Sequence, residues 1–374
     1  MCHRTASVRF IDRLRHKSCG WVNHGNEFMS HIGVLTHQLF LSLFVAMSVL
    51  SNGASVAQQF EISRCEVLPL PNRQVSIRID GQEKTRWHFS HDSPGPFLFP
   101  VTGPSGVSLT RMGHPGAENH DHHRSVWLAY QNVNGLDFWT SRQGNQIRQK
   151  HWYCYEDGDE EGVMAARLGW YDQNDNEVLD QDVVIAVRPL RVDEYEVELQ
   201  LTLRPPERGS SVTLGKTNFG LLAVRVARSL SSYFGGGELT SSNGGVGENH
   251  TFGRPAKWMD YSGPVVKGTG AARHVVNEGI TFHDHPANVN YPTHWHVRSD
   301  GWMGASPGMH AEHMISSREP LRLRYLLHVH RGRYDPERSA ERHSAFSERR
   351  NFVIKRSGSD RPHLQYEVSR DISD

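Results

Sequence analysis

The sequence predicts an all-β fold, an antiparallel β-sandwich with one surface helix near the C-terminus. Three observations predict it. Apolar and polar residues alternate with a period of two in several segments, the 374-residue chain contains 34 glycines, and helical patterns are rare. Such alternation is typical of strands with one buried and one solvated face, which favours antiparallel pairing. A parallel α/β fold would need a helix between successive strands, and the chain offers almost none.

The clearest strand pattern covers residues 194–203, where every odd position is apolar and every even position is polar. A second pattern of this kind covers residues 321–330. The dipeptide Asp80-Gly81 is typical of a hairpin turn. Shorter strands are predicted at residues 75–79, 183–187 and 221–226.

One helix is predicted to begin at Asp335 and to end near Arg349. Aspartate can cap a helix N-terminus, and Pro336 suits the first turn. No linker divides the chain after residue 57. We therefore expect residues 58–374 to form a single domain of two packed sheets.

Residues 1–57 are interpreted as a signal peptide with an over-extended N-terminus. An apolar run at residues 38–50 precedes Ser55-Val56-Ala57, a small-x-small cleavage pattern. Met29 is the expected start of translation, because the residues before it are mostly polar. Cleavage after Ala57 would place the protein in the periplasm or the medium. An N-terminal membrane anchor is the alternative.

The mature chain is expected to make no stable membrane insertion, because no other segment approaches the roughly 18 apolar residues of a membrane span. Cleavage would leave two cysteines, Cys65 and Cys154. They could form one disulfide or remain two buried thiols, and their spacing does not decide between these states.

The charge balance argues against nucleic acid and anionic membrane surfaces as partners. Lys+Arg and Asp+Glu both total 41, so the formal net charge is zero. We expect a small-molecule or glycan substrate instead. The chain also contains 24 histidines, and histidine is both the commonest metal ligand and the usual acid–base group near neutral pH.

A first histidine-rich segment covers residues 114–127. His120 and His122 are two residues apart, so they would share one side of an extended segment. His123 would point the other way, where it could move protons. The planar fork of Arg124 can hold a carboxylate or an anionic intermediate. The competing interpretation is a polar loop whose histidines bond only to the backbone.

A second histidine-rich segment covers residues 282–298. It contains two His-x-His pairs, His283 with His285 and His294 with His296. Imidazoles and a nearby carboxylate could bind zinc, copper or iron, or act as acid and base without a metal. A packed aromatic corner around Trp295 is the alternative interpretation.

Two other segments bear on the site. Asp260 lies in residues 253–263 and could orient a catalytic histidine or contact a ligand. His328 and His330 share the polar face of strand 321–330, which favours solvent exposure. The sequence contains no Gly-x-Ser-x-Gly elbow and no Cys/His nucleophile pattern, which argues against a serine or thiol hydrolase.

Three segments together resemble the PmoA-like family, a bacterial family of unknown function that is often labelled methane oxygenase PmoA. The resemblance covers roughly residues 89–332. The segments are His120-x-His122-His123-Arg124-Ser125-x-Trp127 with Asn134-Gly135-x-Asp137-Phe138-Trp139, residues 253–263, and His285-Pro286-x-Asn288-x-x-Tyr291-Pro292-x-x-Trp295-x-x-Arg298. The resemblance implies a β-sandwich like the galactose-mutarotase supersandwich, in a setting of sugar degradation.

The leading hypothesis is an exported carbohydrate-active protein that performs proton transfer on a sugar, as an epimerase, mutarotase or lyase does. It assumes that histidines distant in the chain converge on one cleft. The acid–base and orienting groups would be His123, Arg124, Asp260 and His285. The substrate-contacting residues would be Trp127, Asn134, Asp137, Asn288, Trp295 and Arg298.

Two alternatives remain open from the sequence. The first is a metal-dependent hydrolase or oxidoreductase with a divalent metal held by His120, His122, His283 and His285. The second is a non-catalytic glycan-binding protein.

Overall fold

The computed structural model describes residues 62–114, 116–117, 120–140, 142–361 and 365–372. The predicted signal peptide, the start at Met29 and the cleavage after Ala57 lie outside the described residues and stay predictions. No helix in these described ranges combines the length and the apolar character needed to cross a membrane.

Two eight-stranded sheets dominate the described structure. Sheet I has the strand order β1-β2-β3-β4-β5-β11-β16-β15, and sheet II has the order β12-β13-β14-β18-β9-β8-β7-β6. The strands of sheet I are β1 (Cys65–Leu70), β2 (Gln74–Ile79), β3 (Gln82–His88), β4 (Phe97–Val101), β5 (Val126–Tyr130), β11 (Gly220–Arg225), β15 (Trp295–Arg298) and β16 (Trp302–Ala305). The strands of sheet II are β6 (Gln146–Glu156), β7 (Gly162–Tyr171), β8 (Glu177–Pro189), β9 (Tyr195–Arg204), β12 (Glu238–Ser241), β13 (Trp258–Lys267), β14 (His274–Asp284) and β18 (Leu321–Arg331).

Two small two-stranded sheets and two α-helices complete the architecture. Neighbouring strands in the two large sheets pair antiparallel. The remaining elements are β10 (Ser211–Leu214) paired with β17 (His313–Ser316), β19 (Phe352–Arg356) paired with β20 (Tyr366–Arg370), α1 (Glu248–Thr251) and α2 (Pro336–Glu348).

The hydrophobic core lies between the two large sheets. Val126 and Leu128 of β5 in sheet I belong to the same buried cluster as Val197 and Leu199 of β9 in sheet II. Packed sheets lie about 10 Å apart. The predicted antiparallel sandwich is therefore confirmed. The strand predictions for residues 194–203 and 321–330 are confirmed as β9 and β18.

The predicted hairpin and helix are also confirmed. Asp80 and Gly81 join β2 to β3 and both have positive φ, 51° and 74°, as a type I′ turn requires. Asp335 Oδ1 accepts hydrogen bonds from the backbone N–H groups of Glu337 and Arg338, both at 3.0 Å. It therefore caps α2, which buries one side against sheet II through residues that include His343 and Phe346.

Each sheet has an outer face that points away from the core. Successive residues of a strand alternate between the two faces, so Trp127 lies on the outer face of sheet I, between the core residues Val126 and Leu128. By the same alternation His283 lies on the outer face of sheet II, next to the core residue Phe282. The histidine-rich segments are therefore divided between two surfaces of the sandwich.

Cys65 and Cys154 are both present as thiols. Burial raises the pKa of the Cys65 thiol to about 11 and that of the Cys154 thiol to about 12. Neither sulfur is therefore a thiolate nucleophile at neutral pH, in agreement with the sequence argument against a thiol hydrolase.

Candidate active site

A layer of tryptophan rings covers the outer face of sheet I. Trp127 lies on β5, Trp302 lies on β16, and Trp139 follows β5 in the chain. The Trp139 ring is 5.4 Å from that of Trp127 and 5.3 Å from that of Trp302. The rings pack with two small residues, Ala129 of β5 itself and Ala223 of the neighbouring strand β11. The alternation of β5 and β16 thus builds an aromatic surface beside, and separate from, the main core.

His123 packs directly on this aromatic surface. Its ring stacks on Trp127 at 5.2 Å with an interplanar angle of 27°, and it lies 5.0 Å from Trp302. The residue is 1% exposed, and neither ring nitrogen has a hydrogen-bond partner within the described residues. Burial, aided by the charge of Arg225, lowers the pKa of His123 far below its usual value. His123 is therefore a neutral imidazole at neutral pH.

His296 reaches the same surface from β15. Its ring lies 4.0 Å from that of Trp302. Nδ1 donates to the carbonyl oxygen of Asn218 at 3.0 Å, which leaves Nε2 as the lone-pair nitrogen, and Nε2 has no partner in the described structure. Burial lowers the pKa of His296 to about 4. We call Trp127, Trp139, Trp302, His123 and His296 the Trp–His layer.

A charge relay borders the Trp–His layer. Arg225 is fully buried and donates to both carboxylate oxygens of Asp300, at 2.8 and 3.2 Å. Asp300 Oδ2 lies 3.0 Å from His114 Nε2. Burial would raise the pKa of Asp300, but the hydrogen bond and charge of Arg225 outweigh it and hold the pKa below its usual value. Asp300 is therefore ionised and accepts the Nε2–H of His114.

This relay orients His114 as a base. Since Nε2 carries the proton toward Asp300, Nδ1 holds the lone pair, and Nδ1 is buried without a hydrogen-bond partner among the described residues. The His114 ring lies 5.5 Å from that of His120, which lies 5.1 Å from that of His123. Burial lowers the pKa of His120. The three imidazoles form a path from the relay to the Trp–His layer.

Several nitrogens here share an unusual property, because buried polar groups are nearly always hydrogen-bonded. They come from the relay and the Trp–His layer, and each is buried without a partner in the described part of the chain. They are His114 Nδ1, Nε of Arg225, both ring nitrogens of His123, Nε1 of Trp127 and of Trp302, and Nε2 of His296.

The other predicted residues of this segment have mixed placements. Arg124 and His122 join Trp127 and Trp139 in lining a cavity of about 20 Å³, which holds about one water molecule. Arg124 Nη1 donates to Ser93 Oγ, and burial lowers the pKa of its guanidinium. Arg124 therefore lies beside the Trp–His layer, with one donor already used by the protein, and its predicted role of holding an anion stays a prediction.

Asn134 and Asp137 form turns in the structure. Asn134 and Gly135 have φ values of 51° and 85° in a tight turn, and Asn134 Oδ1 accepts the backbone N–H of Thr213 at 2.8 Å. Asp137 Oδ1 accepts the backbone N–H of Trp139 at 2.7 Å. Asp137 thus helps to position Trp139. The side-chain carbonyl of Asn134 already accepts a hydrogen bond from Thr213.

The remaining predicted catalytic groups lie on the opposite side of the sandwich. Asp260 of β13 is fully buried on the outer face of sheet II. Its Oδ2 accepts from Thr281 Oγ1 at 2.7 Å and from His330 Nε2 at 2.8 Å. His285 lies 3.0 Å from Arg324 Nη1 and packs against Phe346 of α2. The assumption of a single cleft is therefore wrong for these two residues, since the core separates them from His123.

The predicted metal set is also divided. His120 and His122 belong to the sheet I side, whereas His283 and His285 lie under α2 on sheet II. Zinc ligands sit about 2 Å from the ion, so these four histidines cannot share one metal. Within the described residues no group of three or more His, Cys, Asp or Glu side chains is placed to hold a metal ion.

Three predicted contact residues have partners in the protein. Asn288 Nδ2 donates to Asp284 Oδ1, and Asn288 Oδ1 accepts the backbone N–H of Arg324, both at 2.7 Å. Trp295 is 0% exposed and donates to the carbonyl oxygen of Ala256, so its assignment as a substrate-contacting residue is wrong and the alternative of a packed aromatic position holds. Arg298 lies on the outer face of sheet I and donates to Glu248 Oε1 at 2.9 Å.

His328 and His330 correct another expectation. Both are 1% exposed, because α2 and the turn between β8 and β9 cover this end of sheet II. The polar face of strand 321–330 is therefore buried by the chain itself, and the expected solvent exposure is wrong.

The sequence argument missed the relay and part of the Trp–His layer. His114 stood at the start of the first histidine-rich segment but received no role. Gly301 lies between Asp300 and Trp302. The Asp-Gly pair directly before a strand that begins with tryptophan is typical of a turn and could have indicated this position. Arg225 had no local signal, because its importance comes from pairing with a residue 75 positions away.

Comparisons with known proteins give a family but no activity. The family described as "Family of unknown function (DUF6807)" matches residues 74–344. No curated protein matches the sequence. Among solved structures, the crystal structure of 4-alpha-glucanotransferase from Thermococcus litoralis is similar over 74% of this chain, with 11% identity and a TM-score of 0.29. The chain spans 40% of that enzyme's length. The PmoA-like naming stays a prediction.

Proposed function

The chain belongs to the DUF6807 family of unknown function, and from that premise we propose that it is a carbohydrate-active protein that performs acid–base chemistry on a sugar at the outer face of sheet I. One observation carries the proposal: aromatic rings and unpartnered ring nitrogens share one face. Sugars present apolar C–H faces and hydroxyl groups. Aromatic walls with a few placed polar groups are typical of small-molecule sites.

The Trp–His layer would bind the sugar. Trp127, Trp139 and Trp302 are at most 5% exposed, and the cavity beside them has a volume of about 20 Å³, so a pyranose ring would reach them only if the residues that cover them move aside. Its hydroxyl groups would then accept from the indole Nε1–H groups of Trp127 and Trp302. His123 and His296 are held neutral by burial, so each offers one donor or acceptor nitrogen without the cost of burying a charge. Arg124, next to His122 and Trp127, would contact an oxygen that becomes anionic.

His114 would be the general base. Its Nδ1 would remove a proton from the sugar, and the imidazolium formed would be stabilised by ionised Asp300, 3.0 Å from Nε2. The proton would then pass to the ring oxygen in mutarotation, to the departing oxygen in elimination, or back to the same carbon on its other face in epimerisation, so His114 ends the cycle neutral. A positioned acid–base group contributes roughly 10²–10⁴ in rate. Epimerisation, mutarotation and elimination all begin with such a transfer.

Binding is tested by tryptophan fluorescence titrations with glucose, galactose, xylose and cellobiose. We expect a saturable change with at least one sugar. Trp302→Phe keeps an aromatic ring but loses Nε1–H, and should weaken binding by about tenfold. Trp152→Phe is the matched control, because Trp152 lies on β6 in sheet II. If no sugar gives a saturable change, or if the two variants behave alike, the proposal is wrong.

Turnover is tested by proton NMR of the bound sugar in D₂O, which detects anomer exchange, deuterium incorporation and elimination. His114→Ala should reduce the rate by about 100-fold or more, with binding retained. His274→Ala is the control, since His274 is exposed in the β13–β14 hairpin. Binding with no turnover in the wild-type protein would contradict the catalytic part and favour the non-catalytic glycan-binding alternative.

We also propose that the protein is exported. The apolar run at residues 38–50 and the small-x-small pattern ending at Ala57 support this. N-terminal sequencing of the protein from the periplasm or medium should begin at Gln58. Recovery of a cytoplasmic protein with an intact N-terminus would contradict it.

A further inference from the structure

A large cleft opens on the outer face of sheet II, next to α2. Its volume is about 700 Å³, within the range of roughly 300–1,000 Å³ that is usual for small-molecule sites. It lies between the β8–β9 turn and α2, with β18 as its floor. The lining residues are Arg64, Pro189, Leu190, Arg191, Glu194, His328, Arg338, Glu341 and Arg342.

The cleft is electropositive. Four guanidinium groups and two carboxylates line it, an excess of two positive charges. Arg338, Glu341 and Arg342 are spaced three and four residues apart, so α2 presents them on one side. Guanidinium forks match carboxylate and phosphate oxygens in a planar, two-bond geometry. The wall of the cleft is therefore suited to an oxyanion.

Part of this positive charge is available to a ligand. Arg191 is exposed, and its side chain makes no ion pair within the described residues. Arg64 pairs with Asp80, with both side chains at least half exposed, and exposed pairs of this kind contribute little and exchange partners easily. Arg342 is 23% exposed, and its ion-pair partner, Glu341, is 70% exposed.

The floor of the cleft supplies a buried imidazole whose nearest charged neighbour is Glu194. His328 is 1% exposed, and neither ring nitrogen has a hydrogen-bond partner among the described residues. Its Nε2 lies 3.4 Å from Glu194 Oε2. Glu194 Oε1 already accepts from the backbone N–H of Arg331 at 2.8 Å and from Arg338 at 3.1 Å. His328 is therefore a buried imidazole facing an arginine-lined space.

We propose that this cleft binds a small organic oxyanion, in which a phosphate, sulfate or carboxylate group contacts Arg191 and Arg342 while the organic part fills the remaining volume toward His328. The cleft is much larger than a bare inorganic anion requires, so an organic body is part of the proposal. The site lies across the core from the Trp–His layer, and it does not depend on the chemistry proposed there.

Isothermal titration calorimetry in a low-salt buffer without phosphate tests this inference. The probes are glucose 6-phosphate, glucuronate, inorganic phosphate and uncharged glucose. At least one charged sugar should bind saturably and more tightly than inorganic phosphate. The double variant Arg191→Gln with Arg342→Gln should weaken that binding by about tenfold or more. Arg191 is exposed and Arg342 pairs only with the exposed Glu341, so unchanged circular dichroism and melting temperature are expected.

One control variant and three contradicting outcomes make the result decisive. Arg273→Gln removes an exposed arginine in the β13–β14 hairpin, away from the cleft, and should leave binding unchanged. Equal affinity for phosphate and the charged sugars would overturn the organic part of the proposal. No saturable binding by any charged probe would overturn it entirely. So would binding that is lost in Trp302→Phe but kept in the double arginine variant, because the ligand would then occupy sheet I.

Discussion

The outer faces of the two sheets both bury polar groups, and one cluster on each face differs from the other in how these groups are paired. Unpartnered ring nitrogens also occur on sheet II, at His283 and His328, so the contrast lies between the Glu198 cluster of sheet II and the Trp–His layer of sheet I. On sheet II, Glu198 is 1% exposed and is paired with Arg324 at 2.7 Å, Arg370 at 2.9 Å and Arg349 at 3.1 Å. On sheet I, His123 is equally buried, and its nitrogens have no partner in the described structure. The arginines of sheet II come from β18, the end of α2 and β20, so the C-terminal part of the chain completes that face.

This difference bears on which buried polar groups serve packing and which are available to a ligand. A buried carboxylate with three arginines uses its hydrogen-bonding capacity within the protein, and its removal must leave charges unpaired. Unpartnered nitrogens among aromatic rings lower stability, because burial without a hydrogen bond costs free energy. Functional sites are where such costs are tolerated. The Glu198 cluster therefore has a packing role, and the unpartnered nitrogens of the Trp–His layer support the ligand-binding role proposed for it.

The largest expected effect comes from breaking the Glu198 cluster. Burial alone would raise the pKa of Glu198, but hydrogen bonds and charges from Arg370, Arg324 and Arg349 hold it at about 2. Glu198→Ala would leave three guanidinium groups without their shared partner. We expect a loss of about 3–5 kcal/mol in the free energy of unfolding, measured by urea denaturation.

Glu161→Ala is the matched control for this measurement. Glu161 also accepts from Arg370, at 2.8 Å, but its side chain is 20% exposed. Its loss should cost about 1 kcal/mol or less, as is usual for partly solvated pairs. If both variants lose the same free energy of unfolding, the buried Glu198 cluster is no more important for stability than a partly solvated ion pair. The comparison between the two faces would then fail.

The second prediction concerns the dependence of the free energy of unfolding on pH, and it tests the outer faces of both sheets. Burial lowers the pKa of His296 on sheet I, and of His285 and His343 on sheet II, to about 4. An unfolded histidine titrates near 6.5. Between pH 6.5 and 4 the unfolded chain therefore binds more protons, so stability falls as pH falls through this window. Each group contributes at most about 1.4 kcal/mol per pH unit.

Asp284 opposes this trend. Burial raises its pKa to about 7, so its contribution to stability is present below the unfolded value near 3.9 and is lost as pH rises toward 7. The net slope of the free energy of unfolding against pH is the contribution of the histidines minus the contribution of Asp284. His296→Gln and His343→Gln should each flatten the loss of stability below pH 6.5, and Asp284→Asn should steepen it. Urea denaturation between pH 4 and 8 measures these slopes. Identical slopes in all four proteins would contradict the assignment.

The sequence was a good guide to local elements and a poor guide to what covers them. The period of two in β9 and β18 and the capping residue Asp335 were readable, since each depends on neighbours in the chain. The polar face of β18 was read as solvated. It is buried because α2, which begins after β18 ends, folds back over it, and a local pattern contains no information about that contact.

The candidate site shows the same limit at the level of single residues. Trp295 and His296 are adjacent in β15, a strand of four residues. So short a strand gives too little alternation to show which residue faces the core. Trp295 was assigned to the site and lies in the core, whereas His296 belongs to the Trp–His layer. The link between Arg225 and Asp300 depends on strand pairing far apart in the sequence and has no local pattern.

The smallest expected effect is the most direct test of the comparison, because it should have the opposite sign. His123→Phe replaces a buried imidazole by an apolar ring of similar shape between Trp127 and Trp302. Since the imidazole nitrogens have no partner to lose, the free energy of unfolding should stay within about 1 kcal/mol of the wild-type value or rise. Sugar binding should nevertheless be lost in the fluorescence titration. A destabilisation comparable to that of Glu198→Ala would show that His123 is a structural group, and the functional assignment of sheet I would then fail together with the contrast between the two faces.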